Sequence, residues 1–486
     1  VAQNHLNGKK TKIVATIGPS SNDDETIRAM IRAGMNVARI NFSHGAHADH
    51  ADRIARIRRL AAEENAVVAI LSDIQGPKIR IGPIDEPGLD LKKGDTLILT
   101  LEEGHTGKNN TVTLPHPEFM VDIRGGMQLL LDDGNFELIV KETTGRTLVC
   151  EVVVDGLLTS RKGVMAPAAR HQMRAITEKD RADVEFALKQ NTDFIAMSFV
   201  RTADDVREMK WLITHLGGKA AIIAKIEKHE ALENINAIID VSDGIMVARG
   251  DMGLEIGPER VPYEQKRIIA LCNQAAKPVI TATQMLSSMK ESPRPTRAEA
   301  SDVYNAIMDG TDAVMLSNET ASGNYPVEAV TTMADIAQSA ESHLISNQRA
   351  RPIIRMGEEK IADSISASTF QIADDLKARA IITASLSGAT AQRVAALRPQ
   401  TPILCVTPDE QTYRRLALAW GVTPLLVPQF STIDEMLREV VTHASKINVA
   451  HDNDILVIVA GVPFGRAGAT NLIKVHRVGE PITSVG

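Results

Sequence analysis

The sequence predicts an α/β protein: a TIM (β/α)8 barrel with an inserted small β-barrel domain, followed by a separate C-terminal α/β domain. Three observations lead to that class. Eight short, β-branched apolar runs alternate with amphipathic helical segments. The alternation breaks once, for a stretch rich in Gly, Asp and two-residue periodicity. A polar stretch, "SNQRARPIIRMGEEK", then precedes a second set of strands. A doubly wound open sheet is the other arrangement that such alternation allows. The 486 residues leave room for about three domains, at roughly 100–200 residues each.

The elements follow in order. "KIVATIGP" (Lys12–Pro19) reads as the first strand, and in "SNDDETIRAMIRAG" Ser21 or Asn22 caps a helix that Gly34 closes. "MNVARINFSHG" is the second strand, followed by a charged helix from about His47 to Glu64, and "AVVAILSD" is the third. From Gly76 to about His171 short alternating runs are separated by the turn signals "DDGN" and "TTGR", which marks the all-β insert. A capped helix, "TEKDRADVEFALKQ", restarts the alternation. Five strands follow: "TDFIAMSFV", "AAIIAKIE", "SDGIMVARGD", "KPVITATQ" and "TDAVMLSNET". The expected barrel domain is therefore residues 1–75 and 172–350, the insert 76–171 and the C-terminal domain 351–486. Strands expected in the last are "ARAIITAS", "TPILCVTP", "TPLLVP", "NDILVIVAG" and "TNLIKVHRV".

Composition narrows the function. A net charge of −7 with both signs dispersed argues against a nucleic-acid binder. Only 3% of residues are aromatic, so the cores must be aliphatic. Cys150, Cys272 and Cys405 are widely spaced without metal-like pairing, which points to reduced thiols and a cytoplasmic setting. The polar start, "VAQNHLNGKKTK", lacks a secretory apolar core, and no apolar run approaches the roughly 18 residues of a membrane span.

Chemistry in such a barrel is carried at the carboxyl ends of its strands. Those ends hold Arg39, Asn41, Ser43, His44, Asp73, Ser198, Lys225, Glu227, Arg249, Gly250, Asp251, Thr283 and Ser317. Charged groups directly after apolar strands are costly unless paired or ligated. Glu227 and Asp251 come from adjacent strands and are oxygen ligands suited to Mg²⁺ or Mn²⁺; two solvated loop acids are the alternative. Lys225 shares a strand face with Glu227, either to meet a phosphoryl group or merely to pair with that acid. Arg39 and Arg80 can grip carboxylate or phosphate in bidentate fashion, though each alone is more often a surface ion pair. In "TASLSGATAQ", Thr383, Ser385, Ser387 and Thr390 bring hydroxyls to a helix start, suited to a phosphate or to capping by Ser387 or Thr390. These residues together describe a metal-dependent barrel enzyme for a small anionic, phosphorylated substrate. The reaction itself stays open at this point.

The segments "TKIVATIGPSS", "AGMNVARINFSHG", "SDIQGPKIR", "DGIMVARGDMGLEI", "KPVITATQMLSSMKESPRPTRAEASDV" and "DAVMLSNETASGNYPVEAV" closely resemble the pyruvate kinase family, over nearly the whole chain. The resemblance implies the last step of glycolysis, transfer of a phosphoryl group from phosphoenolpyruvate to ADP to give pyruvate and ATP, in a cytoplasmic homotetramer. By position, Glu227 and Asp251 match the divalent-metal ligands, and Lys225 the residue that stabilises the transferring phosphoryl group. Arg39, Gly250, Asp251 and Thr283 match substrate contacts, with Thr283 and Ser317 candidates to order a water or relay for protonating the enolate. Asn41, Phe42, Ser43 and His44, with Arg80 and Lys162, match nucleotide- or phosphate-binding positions. The resemblance also implies that Thr383, Ser385, Ser387 and Thr390 hold the phosphate of an allosteric effector, a sugar phosphate or AMP, opposite "GVPFGRAGATN".

Three departures from the family pattern stand out. Met165-Ala166 replaces Asn-Leu in the insert hinge, and Asn318 replaces glycine beside Ser317. The third is in "SDIQGPKIRIG", where Ile74, Gln75 and Lys78 replace residues that accompany a K⁺ ion held near Asn41, Ser43 and Asp73. A lysine beside K⁺ would be repelled by about 4 kcal/mol at about 4 Å and an effective dielectric near 20. The expectation is that Lys78 replaces K⁺, against Asp73, and that the enzyme needs Mg²⁺ but not K⁺; the alternative turns Lys78 to solvent. A metal-dependent aldolase or lyase on a similar barrel needs neither the insert nor Lys225. A non-catalytic scaffold need not retain Lys225, Glu227 and Asp251 together.

Overall fold

The computed structural model describes residues 8–167, 169, 173–346, 360–446, 449–462 and 470–481. Strands β1 (Lys12–Thr16), β2 (Val37–Asn41) and β3 (Ala69–Asp73) come first. The insert adds β4 (Leu89–Leu91), β5 (Thr96–Thr100), β6 (Thr111–Thr113), β7 (Gln128–Leu131), β8 (Phe136–Thr143), β9 (Thr147–Val152), β10 (Gly156–Leu158) and β11 (Val164–Met165). The first pattern then resumes with β12 (Phe194–Met197), β13 (Ala221–Ile226), β14 (Gly244–Ala248), β15 (Val279–Ala282) and β16 (Ala313–Leu316). The eight strands outside the insert close into a parallel barrel in the order β1-β16-β15-β14-β13-β12-β3-β2. Pairing of β1 with β16, Lys12 opposite Ala313, shuts the sheet and excludes the open arrangement.

Short β-branched runs suit these strands because both of their faces are buried, one in the barrel and one under helices. The helices begin on side chains that satisfy their free N–H groups. Thr177, Thr202 and Thr296 each cap a helix reciprocally with an acid three residues on. The first helix, Asp24–Ala33, differs from expectation. Its cap is Asp23, whose carboxylate accepts from Thr26 N, because Ser21 Oγ is engaged by Gly18 N and Asn22 Oδ1 by Arg53. Gly34 closes it at φ 113°, as read from the sequence.

The insert folds as a curled six-stranded sheet, β11-β7-β8-β9-β5-β6, with a two-stranded ribbon β10-β4. "DDGN" makes the β7–β8 turn, with Asp132, Asp133 and Gly134 all at positive φ. All three cysteines are buried, and burial pushes the Cys150 and Cys405 thiols up to about 12. They are packing residues.

The C-terminal domain orders β17 (Ala380–Ala384), β18 (Ile403–Thr407), β19 (Val422–Leu426), β20 (Ile455–Gly461) and β21 (Thr470–Arg477) as β19-β18-β17-β20-β21. Only β21 runs antiparallel to its neighbour. This domain seals the amino end of the barrel: Ala417 and Leu418 join the interior cluster that contains Val14, Val37 and Ala221. Around that seal, fully buried Asp193 accepts from Arg58 and Arg414 at 2.7 Å each, and Arg398 reaches Asp312 at 2.9 Å. Among the described residues, no helix is long and apolar enough to cross a membrane.

Candidate active site

Strand alternation places the site at the opposite, carboxyl end. On β13, Ala221 and Ile223 fill the barrel while Ile222, Ala224 and Ile226 face the helices, so Lys225 is next in the inward column. The same count runs Val37 then Arg39 on β2, Leu71 then Asp73 on β3, and Phe194, Ala196 then Ser198 past β12. Each column is apolar below and polar at its top. Four columns thus deliver a guanidinium, a carboxylate, a hydroxyl and an ammonium to one mouth.

These groups contact one another. Asp73, 2% exposed, accepts from Arg39 Nε at 2.7 Å and from Lys225 Nζ at 3.3 Å. Lys225 also donates to Ser198 Oγ at 2.7 Å and stands 3.0 Å from Glu227 Oε1. Glu227 Oε2 accepts from Phe199 N at 2.7 Å, and Arg39 Nη1 donates to Thr16 Oγ1 at 2.9 Å. Burial alone would raise the Asp73 carboxyl, but the Lys225 and Arg39 charges outweigh it and hold it below the usual range. Burial opposes the Lys225 ammonium, yet Asp73 and Glu227 together hold it well above the ordinary lysine value. Glu227 is pushed upward by burial, only partly offset by Lys225, and pushed further by the nearby Asp251 charge. The Asp251 charge bears on buried Glu227, and a cation held between the two carboxylates would relieve it, so the donor set fits a hard divalent metal.

Asp251 lies in the first turn of the helix Arg249–Ile256, directly after β14. Gly250 N donates to Thr283 Oγ1 at 2.8 Å, and that hydroxyl donates to Ala282 O at 2.6 Å. Thr283 is held at φ 68°, a conformation that costs about 1–3 kcal/mol in a non-glycine residue. Arg249 holds it there, donating from Nε to Ala282 O at 3.1 Å and from Nη2 to Thr283 O at 2.6 Å. Ser317 precedes the short helix Asn318–Ala321, and its N–H is bound by buried Glu319 at 2.7 Å. Asn318 is thus the first helical residue, and nothing there requires glycine.

The loop after β2 turns outward. Asn41 Oδ1 accepts from Ser43 N at 3.1 Å, Phe42 is buried with its carbonyl bound by Lys179 Nζ at 2.7 Å, and His44 is exposed. Arg80 and Lys162 lie on the insert and bond within it: Arg80 Nη1 to Arg161 O at 3.0 Å, Lys162 to Asp132 at 2.7 Å. The tip of the β7–β8 turn touches the barrel. A Cβ on Gly134 would stand 2.7 Å from Leu254 Cδ2, so this position admits only glycine without a shift. Between insert and barrel lies a cleft lined by Lys78, Leu130 and Met165 on one side and Phe199, Lys228 and Asp251 on the other.

Lys78 is not against Asp73. The Gly76-Pro77 turn carries the chain out of the barrel, and Lys78 runs beside Gly163 of the insert, its Cε 3.4 Å from where a Cβ there would stand. Among the described residues its ammonium has no hydrogen-bond or ion-pair partner. Asp73 is occupied by Arg39 and Lys225 instead.

In the C-terminal domain, Ser385 Oγ accepts from Gly388 N at 3.0 Å and Ser387 is exposed at the start of the helix Ala389–Ala396. Thr383 is buried, 3.4 Å from Leu404 O, and Thr390 Oγ1 is 2.6 Å from Thr470 Oγ1. Gly388 is the helix cap, with no side-chain hydrogen bond from Ser387 or Thr390. Most of "GVPFGRAGATN" lies outside the described residues. The structure adds residues whose bonding the sequence did not foretell: Ser198, Phe199 through its N–H, Arg249 as a clasp, and the group Lys228, His229 and Glu255. Arg249 and Ser198 were legible only as strand-end polar residues.

A largely enclosed ammonium and guanidinium facing carboxylates, beneath an insert bearing further cations, define a barrel phosphotransferase. Residues 8–330 match the pyruvate kinase barrel domain and 363–476 the pyruvate kinase alpha/beta domain. The pyruvate kinase of Clostridium acetobutylicum is 46% identical over 473 residues, covering 97% of this chain and 100% of that one. That of Staphylococcus aureus (strain MRSA252) is 44% identical over 478 residues, 98% of this chain and 82% of the relative. A crystal structure of a pyruvate kinase from Cryptosporidium parvum superposes with a TM-score of 0.89 at 36% identity, covering 98% of this chain and 97% of that one. The chain belongs to the pyruvate kinase family.

Proposed function

We propose that the barrel mouth transfers the phosphoryl group of phosphoenolpyruvate to ADP, with Lys225 meeting that group in flight. The observation that carries this reading is the Lys225 ammonium, held by Asp73, Ser198 and Glu227 at the top of the barrel interior. Phosphoryl transfer is positioning and charge neutralisation rather than covalent catalysis by the protein. Glu227 and Asp251 would hold Mg²⁺, or Mn²⁺, which when bound neutralises charge on the phosphoryl oxygens. Arg39 binds the anionic substrate from the other side of Asp73, and Gly250 N–H with Thr283 lines the enol end. Thr283 and Ser317 order a water for protonating the enolate; an alcohol is too weak an acid to do so alone. Asn41, Phe42, Ser43 and His44 receive the nucleotide with Arg80 and Lys162, which the insert carries in as a lid.

Lys78 supplies the positive charge that a monovalent cation would bring near Asn41, Ser43 and Asp73. Among the described residues its ammonium has no partner, but it runs beside Gly163 rather than Asp73, so this role requires the insert to move toward the barrel mouth. A tethered ammonium also avoids the loss of translational freedom that ion capture costs. The test is pyruvate formation from phosphoenolpyruvate and ADP, with and without Mg²⁺, in K⁺ or tetramethylammonium buffer. Turnover should require Mg²⁺ and be equal in the two buffers; a fall of about tenfold without K⁺ (about 1.4 kcal/mol) overturns the role of Lys78. Lys78→Glu should lower turnover and introduce a response to K⁺.

The turn formed by Ser385, Ser387 and Thr390, with Thr383 behind it, binds the phosphate of an activating sugar phosphate or AMP. The αL cap at Gly388 and exposed Ser387 support an anion there. Such a compound should shift the phosphoenolpyruvate saturation curve, and Ser387→Glu should abolish the shift by repulsion. A curve indifferent to every sugar phosphate and to AMP removes this site. We further propose a cytoplasmic homotetramer, domains meeting near residues 75, 171 and 350, and no nucleic-acid or membrane partner.

A further inference from the structure

Glu227 and Asp251 stand on different elements, and one buried carboxylate joins those elements. Glu255 is one turn beyond Asp251 on the helix Arg249–Ile256, and its side chain is 0% exposed. Its two oxygens are taken by the two residues that directly follow Glu227. Lys228 Nζ lies 2.8 Å from Oε2, and His229 Nδ1 lies 2.6 Å from Oε1. Lys228 is itself buried, with 8% of its side chain exposed, so this ion pair is weakly screened.

We infer that Glu255 is a positioning residue that sets the separation of Glu227 and Asp251, and with it the preference of the site among divalent cations. The inference rests on the reading of Glu227 and Asp251 as metal ligands. Each end of the clasp is close to a ligand: one peptide bond from Glu227, and one helical turn from Asp251. A shift of Glu255 must therefore move one ligand relative to the other. Mg²⁺ demands short, near-octahedral contacts of about 2.0–2.1 Å, whereas larger cations accept longer and less regular ones. Loosening the clasp should cost Mg²⁺ more than Mn²⁺. The group His229, Glu230 and Glu255 is not itself taken as a metal site, because the Lys228 ammonium already occupies one Glu255 oxygen.

The test uses the full chain without substrates. Mn²⁺ binding is measured by the electron paramagnetic resonance of the free ion, and Mg²⁺ by competition. Glu255→Gln is compared with Lys228→Met/Glu255→Gln, which leaves no buried charge unpaired and guards against a folding defect. Both variants should weaken Mg²⁺ by about tenfold or more and Mn²⁺ by distinctly less, as removal of groups that orient metal ligands does elsewhere. The double variant should melt within a few degrees of the parent. Parent-like binding of both ions in the double variant overturns the inference, as does an equal weakening of both. Asp251→Asn separates the two readings. If it leaves Mn²⁺ binding intact, the metal assignment itself fails; if it abolishes binding while the Glu255 variants bind normally, only the role of Glu255 fails.

Discussion

Lys225→Met is expected to lower kcat by on the order of 10²–10³, with KM for phosphoenolpyruvate changed only a few-fold. Methionine preserves most of the side chain's length and packing, and Asp73 keeps its 2.7 Å contact with Arg39. Substrate can therefore still be held from the Arg39 side. What disappears is a charge aimed at the mouth by three neighbours, a charge whose value is greatest when the phosphoryl group is between oxygens. Glu227 loses its ion-pair partner, and burial and the Asp251 charge then push its carboxyl upward without the offset that Lys225 supplied. Steady-state kinetics decide the matter, and near-normal turnover would sink the assignment.

Asp251→Asn should have the second-largest effect. It exchanges one carboxylate oxygen for an amide at nearly constant volume and removes one of the two charges that the metal relieves. The apparent Kd for Mg²⁺ should rise at least about tenfold, and kcat at saturating metal should fall by on the order of 10². Relief of the repulsion felt by Glu227 should leave the metal-free melting temperature unchanged or raised, a trade of activity against stability expected at strained sites. Titration with Mg²⁺ monitored by activity and by melting gives both readouts. Equal metal affinity in the two proteins would exclude Asp251 from the ligand set.

The sequence was most readable where a short periodicity decides the geometry. Eight two-sided apolar runs can bury both faces only inside a helix-wrapped sheet, and inward alternation then carries Arg39, Asp73 and Lys225 to one end. It was less readable where several polar residues compete for one job. Ser21, Asn22 and Asp23 can all cap a helix, and only the contacts of Gly18 and Arg53 leave the role to Asp23. Lys78 shows a different limit. It is five residues from Asp73 in the chain, but the intervening Gly76-Pro77 turn redirects it toward Gly163. Glu255 has its partners on a neighbouring loop, and only the pairing of β13 with β14 brings it beside Lys228 and His229. Sequence spacing does not encode such contacts between neighbouring loops.

Ala417 and Leu418 give the barrel a floor supplied by another part of the chain. Beneath Lys225 the stack runs through Ile223 and Ala221 to that floor without a change of material. Two residues of the C-terminal domain therefore complete the barrel's interior cluster, and heating should disassemble the two domains in a single calorimetric event. Severing the chain between them would expose the bottom of the stack rather than release two finished modules. By mass action, any molecule that grips the native C-terminal domain must also protect the barrel against unfolding. The resistance of the catalytic half to heat or protease thus becomes a gauge of what is bound at the far end.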